Sequence, residues 1–367
     1  MAIRIAHVGS KGLPSRGATE RVVEAIATRH ASDNEVVVYG SRRVCATGFV
    51  QVVRVIALPV PAGKHLGPVV LDVLSALHAF GSGYDVVHVH GSENAFVVPL
   101  LRIRSRVVTT NHGSPYETKK WGPVARFLMR RVERISVRAA SLATCVAAPR
   151  AERLAARYGR PVRYIPNGLD RRMHADVDAA DAVLREAGLE PGKFGMFAAA
   201  RVDPIKGCLE LIHAWRASLT DVPLLVVGDL WHAPGHEAQL RAAADGANIV
   251  FLPRIESRDT LLGLISRSAL FVFPSTVEAM SMMLLEAIST QARVLASDIP
   301  ENLAILPSAF PVFPAGDEQA LSAAITAILA ESPRESEKAR AEYADEMMRT
   351  YDWDRIAERY LEAYLGD

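Results

Sequence analysis

The sequence predicts an α/β protein built from two doubly wound domains. With 367 residues, the chain is longer than one hydrophobic core usually supports. Half of the residues are hydrophobic and 23% are charged, which is typical of a globular protein. Short apolar runs recur between helical patterns in both halves. Because these runs lack polar alternation, they indicate parallel strands covered on both faces.

The first half contains the apolar runs IRIAHVG, EVVVYGS, QVVRVIAL, DVVHVHG, RVVTTNHG and SLATCVAAP. The second half contains KFGMFAAARV, PLLVVGD, NIVFLPR, LFVFPS, ARVLASD and FPVFP. Between them, RYIPNGLDRRMH (163–174) combines Pro, Asn-Gly and a charge cluster, which marks a turn. We therefore expect domains over 1–168 and 169–351. The last helical pattern must pack on another element, because it keeps an apolar stripe: Ile356, Tyr360, Leu361 and Tyr364.

Charge and cysteine usage narrow the class of protein. The net charge is +1, so no global field attracts nucleic acid. The three cysteines are far apart in the sequence and form neither a CxxC pair nor a disulfide framework, which fits a reducing compartment. The N-terminal residues already read as a strand and not as a leader, and no apolar run reaches about 20 residues. We expect a cytoplasmic protein, at most peripheral to a membrane, with no nucleic-acid partner.

The first strand leads into a glycine-containing turn. A doubly wound domain binds its ligand beyond the carboxyl ends of its strands, so the residues after each strand matter most. Gly12 to Thr19 reads G-x-x-x-x-G-A-T, with Ala18 where a Walker loop has lysine, and the dinucleotide fingerprint is also absent. What remains is a turn at Gly17 before a helix whose free N–H groups suit an anion. A plain strand-to-helix turn explains Gly17 equally well.

Three histidines lie on neighbouring predicted strands. His88 and His90 share one face of a strand, and His112 follows the next strand. Three histidines suggest zinc, but no carboxylate or cysteine lies nearby at ligand spacing, so we expect no metal. His112 is better placed as a hydrogen-bond donor to a ligand. His88 is expected to be a satisfied core residue.

The second half places charged residues at strand ends. Arg201 ends a strand, and Lys206 lies five residues later at a helix start, where fixed charge and the helix dipole favour an anion. Glu278 lies in the loop after LFVFP, and Ser281 caps a helix that contains Glu286. Arg201 paired with Asp203 and a solvated Lys206 is the alternative.

A nucleotide sugar would satisfy all of these groups. Two phosphates would meet the cations and the helix N-terminus, and hydroxyl-rich rings on either side would meet the two glutamates. The base pocket has no clear side-chain signature. Pro253 and Arg254, which follow the strand NIVFL, are candidates for lining it.

The chain resembles glycosyltransferase family 4, the retaining enzymes of the GT-B fold. The resemblance covers nearly the whole chain through these segments: RGATERVVEAIA, DVVHVHG, TTNHGSPYETKKWG, YIPNGLD, ARVDPIKG, VVGD and PSTVEAMSMMLLEA. It implies two Rossmann-like domains facing across a cleft, acceptor-binding over 1–168 and donor-binding over 169–351. It also implies that the last helix, 352–367, crosses back to the first domain.

The resemblance assigns roles residue by residue. It implies that Arg201 and Lys206 bind the donor diphosphate, Glu278 the transferred sugar, and Glu286 the ribose hydroxyls. It implies that His112 contacts the sugar at the reaction centre. Donor binding is also expected at Gly17, Arg254, Ser281 and Met282. The chain departs from the family pattern where Ala18, Ala279 and Ser281 replace usual glycines, which leaves the donor identity open.

These roles indicate metal-free, retaining transfer of a hexose from a nucleotide sugar, which is a substrate; no cofactor is expected. The resemblance implies attack from the face of the leaving group, with a diphosphate oxygen taking the acceptor proton. The alternatives are a sugar-nucleotide epimerase or hydrolase of the same fold, a dinucleotide dehydrogenase, and a non-catalytic nucleotide-binding module. The missing glycine fingerprint argues against the dehydrogenase.

Residues 119–138, KKWGPVARFLMRRVERISVR, carry seven positive charges against Glu133 alone. Basic side chains beside Trp121, Phe127 and Leu128 suit an interfacial helix on anionic lipid. The resemblance to polysaccharide-assembly members of the family favours a lipid-linked glycan acceptor met at the inner face of the cell membrane. The alternative is a solvated basic face, with the aliphatic residues packed inward and a soluble acceptor. Those aliphatic residues are Val124, Leu128, Val132 and Ile135.

Overall fold

The structure is a computed structural model that describes residues 2–15, 17–63, 66–113, 116, 121–231, 234–332 and 337–366. The chain divides into two compact units. The first comprises Met1–Gly168 and Trp353–Asp367, and the second comprises Leu169–Asp352.

The first unit is a mainly parallel sheet with helices between most of its strands. Its strands are β1 Arg4–Val8, β2 Glu35–Ser41, β3 Gly48–Val50, β4 Val53–Leu58, β5 Val86–His90, β6 Arg106–Asn111, β7 Leu142–Cys145 and β8 Val162–Tyr164. Its helices before the second unit are α1 Ala18–His30, α2 Leu66–Ser82, α3 Val98–Leu101, α4 Pro123–Arg138 and α5 Ala148–Tyr158, with a 3₁₀ helix over Ser92–Val97.

The first sheet has the order β3-β4-β2-β1-β5-β6-β7-β8. From β1 the sheet continues through β2 and β4 to the edge strand β3, and from β5 it continues through β6 and β7 to β8, so the direction of winding reverses between β1 and β5. The prediction of a doubly wound sheet is confirmed for this unit. Two short strands were not predicted: β3, which is antiparallel to β4, and β8. Each has only three residues, too few to show a hydrophobic period.

The second unit repeats this architecture. Its strands are β9 Gly195–Arg201, β10 Leu224–Asp229, β11 Ile249–Leu252, β12 Leu270–Phe273, β13 Val294–Ser297 and β14 Val312–Phe313. Its helices are α6 Val177–Glu186, α7 Cys208–Ala217, α8 Pro234–Ala244, α9 Arg258–Ser266, α10 Met282–Ser289, α11 Pro300–Leu303, α12 Glu318–Ala330 and α13 Glu337–Thr350, with a 3₁₀ helix over Pro204–Lys206.

The second sheet has the order β11-β10-β9-β12-β13-β14, and all of its strand pairs are parallel. The order reverses between β9 and β12. Strand β12 is buried at every position, and β10 at every position except its last. Burial on both faces is the physical reason for the unbroken apolar runs in the sequence.

The last helix, α14 Trp353–Leu365, packs on the first unit, as predicted. Ala357 accepts a hydrogen bond from His30 of α1 through its carbonyl oxygen (2.8 Å). Asp354 pairs with Arg29 of the same helix at 2.6 Å. Tyr360 and Tyr364 are fully buried, so the apolar stripe found in the sequence is the face that α14 buries.

Candidate functional site

The charged residues predicted from the second half gather where its strand order reverses. Arg201 is the last residue of β9, Lys206 ends the 3₁₀ turn that follows, and Glu278 lies in the loop after β12. Because β9 and β12 are parallel neighbours, their carboxyl ends lie at one edge of the sheet. This edge is where doubly wound sheets bind ligands.

Lys206 and Glu278 form an ion pair. The Lys206 Nζ lies 2.6 Å from Oε1 of Glu278, with side chains 26% and 10% exposed. Lys206 is therefore not the solvated side chain of the alternative interpretation. The sequence placed both residues near the ligand but did not predict that they bind each other, since 71 residues separate them in the chain.

Arg201 remains largely available to solvent. Its side chain is 64% exposed, and Nε lies 3.9 Å from the nearer carboxylate oxygen of Asp203. This pairing matches the alternative drawn from the sequence. A contact of this length between exposed groups is weak. The guanidinium is therefore free to meet an anion at this edge.

Gly207 fixes the turn that holds Lys206. It caps α7 with φ +70°, in the left-handed region. A Cβ built there would lie closer than van der Waals contact to the carbonyl oxygen of Pro274, which follows β12. Thr276 also donates its backbone N–H to Ile205 O at 2.9 Å. The Lys206 turn and the loop that carries Glu278 are therefore packed backbone against backbone.

Helix α10 begins as the sequence predicts. Ser281 is its N-cap, and its hydroxyl oxygen accepts from Leu284 N at 3.3 Å. Met282 is the first helical residue and is buried. The hydroxyl thus satisfies one of the free N–H groups at this end.

The buried carboxylate of Glu286 forms an ion pair with an arginine. It is 1% exposed, and its Oε1 lies 2.7 Å from a terminal guanidinium nitrogen of Arg258. Arg258 opens α9 and also approaches the sulfur of Met173 at 2.9 Å. Sequence reasoning missed Arg258. The only available signal was that a buried carboxylate needs a charged partner, which does not say which cation supplies it.

Arg254 lies in the loop after β11, as expected. Its side chain is 37% exposed and lies 3.5 Å from Glu256. Strand β11 is at the far edge of the second sheet, two strands from β9. Arg254 is thus placed by a different part of this edge from Lys206 and Glu278.

In the first unit, Gly17 is the N-cap of α1 and has an extended backbone (φ −141°) that does not require glycine. Glu20 in the first turn accepts the backbone N–H of Lys11 at 3.2 Å. A Cβ on Gly17 would crowd the Glu20 carboxylate. This helix end therefore already carries a negative charge, which opposes a bound anion there.

The histidines form one cluster at the edge of the first sheet. His88 is fully buried and satisfied, because its ring nitrogens contact Tyr364 Oη (2.7 Å) and Thr110 Oγ1 (2.6 Å). His90 Nδ1 lies 3.2 Å from Nε2 of the half-buried His112. The cluster includes His7 of β1, which the sequence analysis did not single out although it lies in a parallel neighbour of β5.

Three of these rings, His7, His88 and His90, each place one nitrogen within 4.8 Å of the others. That spacing approaches what a metal ion requires. Both nitrogens of His88 and both of His90 are already hydrogen-bonded, however, so an ion would have to displace those bonds.

Helix α4 carries the basic segment, of which Lys119 and Lys120 lie outside the described residues. Glu133 is fully buried, and its Oε1 accepts from Tyr116 Oη (2.8 Å) and Tyr158 Oη (2.7 Å). The one acid of this segment therefore adds no negative charge to the exposed surface of the helix. A cavity of about 390 Å³ lies beside it, lined by Phe127, Arg130, Arg131, Arg134, Arg157 and Tyr158.

The aliphatic residues of α4 divide between the two interpretations. Val132 and Ile135 pack against the core of the first unit. Val124 is 73% exposed and Leu128 57%, with Phe127 beside them at 56%. No helix among the described residues is long and apolar enough to cross a bilayer.

Two family models match the chain. Residues 15–172 match "Glycosyltransferase Family 4", and residues 193–331 match "Glycosyl transferases group 1". Between them the two matches cover most of the chain, one in each unit.

One curated relative is the alpha-maltose-1-phosphate synthase of Mycobacterium tuberculosis, 27% identical over 218 residues. The match covers 55% of this chain and 56% of that protein, about half of its length.

Several solved structures share the whole fold. Sucrose-phosphate synthase from Thermosynechococcus elongatus aligns with a TM-score of 0.82 at 20% identity, over 99% of this chain and 98% of that one. Anabaena HepE in complex with UDP-glucose aligns with a TM-score of 0.78 at 16% identity, over 100% of both chains. WaaG, a glycosyltransferase involved in lipopolysaccharide biosynthesis, aligns at 0.75 and 18% identity, over 99% and 100%. At these low identities, the alignments show that the fold is shared and nothing more.

Proposed function

Because the chain belongs to the glycosyltransferases of the GT-B fold, matched by family 4 in its first unit and by group 1 in its second, we propose that it moves a hexose from a nucleotide sugar to an acceptor with retention of configuration. The second unit, 169–351, binds the donor. The first unit, 1–168 with the last helix, binds the acceptor.

The arrangement of Arg201, Lys206 and Glu278 at one edge of the second sheet carries this proposal. Two cations beside the start of α7 suit the diphosphate of the donor. Glu278 lies in hydrogen-bonding contact with one of them, so a sugar attached to the diphosphate would meet a carboxylate. The Glu286 carboxylate accepts hydrogen bonds from the ribose hydroxyls, and Arg258 holds that carboxylate in place.

The proposed chemistry needs no covalent enzyme intermediate. The acceptor oxygen bonds to the anomeric carbon as the bond from that carbon to the diphosphate breaks. The acceptor proton passes to a diphosphate oxygen on the same face. Arg201 and Lys206 stabilise the negative charge that grows on the leaving diphosphate, so we propose a reaction independent of metal ions. His112 contacts the transferred sugar.

The donor is tested by the shift in melting temperature with UDP-, GDP-, ADP- and TDP-sugars. The complex of Anabaena HepE with UDP-glucose makes UDP-glucose the first donor to try. We expect one base to stabilise the second unit well above the others. Absence of any shift at millimolar donor would contradict nucleotide-sugar binding. Product analysis with and without acceptor then separates transfer from hydrolysis or epimerisation.

The acceptor is proposed to be lipid-linked, as in polysaccharide assembly, and reached at an anionic membrane surface. The exposed part of α4 supports this. Arg130, Arg131 and Arg134 are exposed beside the apolar Val124 and Leu128. Each base near anionic lipid contributes about 1 kcal/mol of binding, and Glu133 cannot offset them because it is buried.

Sedimentation with vesicles tests the membrane contact. The wild-type protein should bind vesicles of phosphatidylglycerol at low salt and dissociate at high salt. Replacing Arg130, Arg131 and Arg134 by Gln should abolish binding. A matched variant with Arg42, Arg43 and Arg104 replaced by Gln loses the same charge elsewhere on the first unit and should still bind. Equal loss in both variants would show only a nonspecific charge effect, and a soluble acceptor would then be favoured.

A further inference from the structure

Three histidine rings form a hydrogen-bonded chain in the first unit. Nδ1 of His7 lies 2.9 Å from Nε2 of His90. Nδ1 of His90 lies 3.2 Å from Nε2 of His112. The rings come from β1, from β5 and from the residue after β6, so they follow the edge at which the strand order of the sheet reverses.

Each ring of this chain is neutral near pH 7. Burial lowers the pKa of His7 to about 3 and that of His112 to about 4, and it holds the pKa of His90 well below its usual value. A neutral imidazole has one N–H and one bare nitrogen. Each nitrogen–nitrogen contact in the chain therefore needs a donor on one side and an acceptor on the other.

This requirement couples the rings. If His112 carries its proton on Nε2, it donates to Nδ1 of His90. The proton of His90 must then be on Nε2, where it donates to Nδ1 of His7, and the proton of His7 must also be on Nε2. If His112 carries its proton on Nδ1, the same argument places all three protons on Nδ1. A mixed arrangement leaves two facing N–H groups or two facing bare nitrogens, and a lost buried hydrogen bond costs about 1–3 kcal/mol.

We propose that His7 and His90 are positioning residues that set the tautomer of His112, with all three rings holding the same tautomer. In one state Nδ1 of His112 donates a hydrogen bond, and in the other it accepts one. The contact of His112 with a sugar hydroxyl rests on the function proposed above. The coupling itself is a property of the ligand-free protein.

The inner end of the chain is closed. His7 Nε2 is buried and has no hydrogen-bond partner within the described part of the structure. His88, packed beside His90 with ring centroids 3.9 Å apart, does not compete, because Tyr364 and Thr110 occupy its nitrogens. A change from one arrangement to the other would release a proton at His7 Nε2 and take one up at His112 Nδ1. The closed inner end therefore holds the three rings in one shared tautomer.

The test is nitrogen NMR of the ligand-free protein labelled with ¹⁵N-histidine, in which long-range correlations identify the protonated nitrogen of each ring. We expect His7, His90 and His112 to report the same protonated nitrogen. Different tautomers within the chain would overturn the proposal. So would loss of the ring N–H signals on adding Zn²⁺, since that outcome would make the cluster a metal site.

A variant separates coupling from simple packing. His90→Phe removes the central ring, so His112 should change to the tautomer mixture of an uncoupled imidazole. His88→Phe removes a neighbouring buried ring outside the chain and should leave the tautomer of His112 unchanged. An unchanged His112 spectrum in His90→Phe would contradict the proposal. The wild-type measurement decides the question if either variant fails to fold, and it is independent of whether transferase activity is found.

Discussion

Lys206 and Glu278 neutralise each other before any ligand arrives. Their 2.6 Å contact is largely shielded from water. Either charged group without the other would be desolvated and would gain no ion-pair energy in return. A donor diphosphate must therefore share Lys206 with Glu278 or displace it. Arg201, at 64% exposed, has no such competitor and can bind a phosphate without first breaking a strong contact.

At the residue scale, Arg201→Ala and Lys206→Ala should each lower kcat/KM for transfer by about 10²–10³, the usual effect of removing one preorganised charge stabiliser. Steady-state kinetics of the purified variants measure it. Arg241→Ala and Lys193→Ala remove exposed, ion-paired bases of the same unit and serve as controls. Activity near wild type in both site variants would refute the diphosphate role.

The two glutamates should differ in what they control. Glu278→Gln should lower turnover but bind the free nucleoside diphosphate as well as or better than wild type, because Lys206 loses its competing anion. Glu286→Gln should weaken nucleotide binding about tenfold, since a neutral amide is a weaker acceptor than a carboxylate. Titration calorimetry compares them. Equal loss of affinity in the two variants would contradict this division of roles.

At the scale of elements, the long apolar strands could be predicted because a strand buried on both faces must be apolar throughout. The three-residue β3 and β8 could not, since three residues are too few to show a hydrophobic period. The same limit applies to the site. Residues at strand ends, such as Arg201 and His112, were found from local pattern. Arg258 and His7 were missed because only the folded sheet brings them to Glu286 and His90.

Gly207 tests whether the packing between its turn and the β12 loop positions Lys206. In Gly207→Ala, left-handed strain and the clash with Pro274 O should together lower the melting temperature and weaken nucleotide binding. Gly192→Ala is a matched control, because Gly192 also has positive φ (+76°) but nothing within 4 Å of its Cβ position. It should cost only about 1 kcal/mol of stability. Similar losses of stability in the two variants would mean that the close approach is unimportant.

At the scale of the whole molecule, the two units differ in their buried histidines. Each unit buries an acid with its partners, Glu286 with Arg258 in the second unit and Glu133 with two tyrosine hydroxyls in the first. The first unit buries neutral histidines on adjacent strands, and its sheet holds His7, His88 and His90 without exposure to solvent. The described part of the second unit has no comparable group of adjacent buried histidines. The two units should therefore respond differently to acid.

Acid should unfold the first unit before the second. Burial lowers the pKa of His7 to about 3 and holds the pKa values of His88 and His90 well below their usual range, while the unfolded chain titrates near 6.5. Above pH 6.5 the rings are neutral in both states and contribute no pH dependence. Below it the unfolded chain binds protons that the folded unit cannot, so stability falls as pH falls, until the folded pKa values are passed.

Each such histidine contributes about 1.4 kcal/mol per pH unit in this window, against a domain stability of about 5–15 kcal/mol. Asp72 of α2, whose pKa burial raises to about 8, contributes the opposite pH dependence and offsets part of this loss. Hydrogen exchange read by mass spectrometry between pH 7.5 and 5 should show loss of protection in peptides of β1, β5 and α14 first. His7→Gln should flatten the slope. His213→Gln, which removes an exposed histidine of the second unit, should leave it unchanged. Earlier loss of protection in β9 or β12 would contradict the buried histidines as the acid-sensitive element.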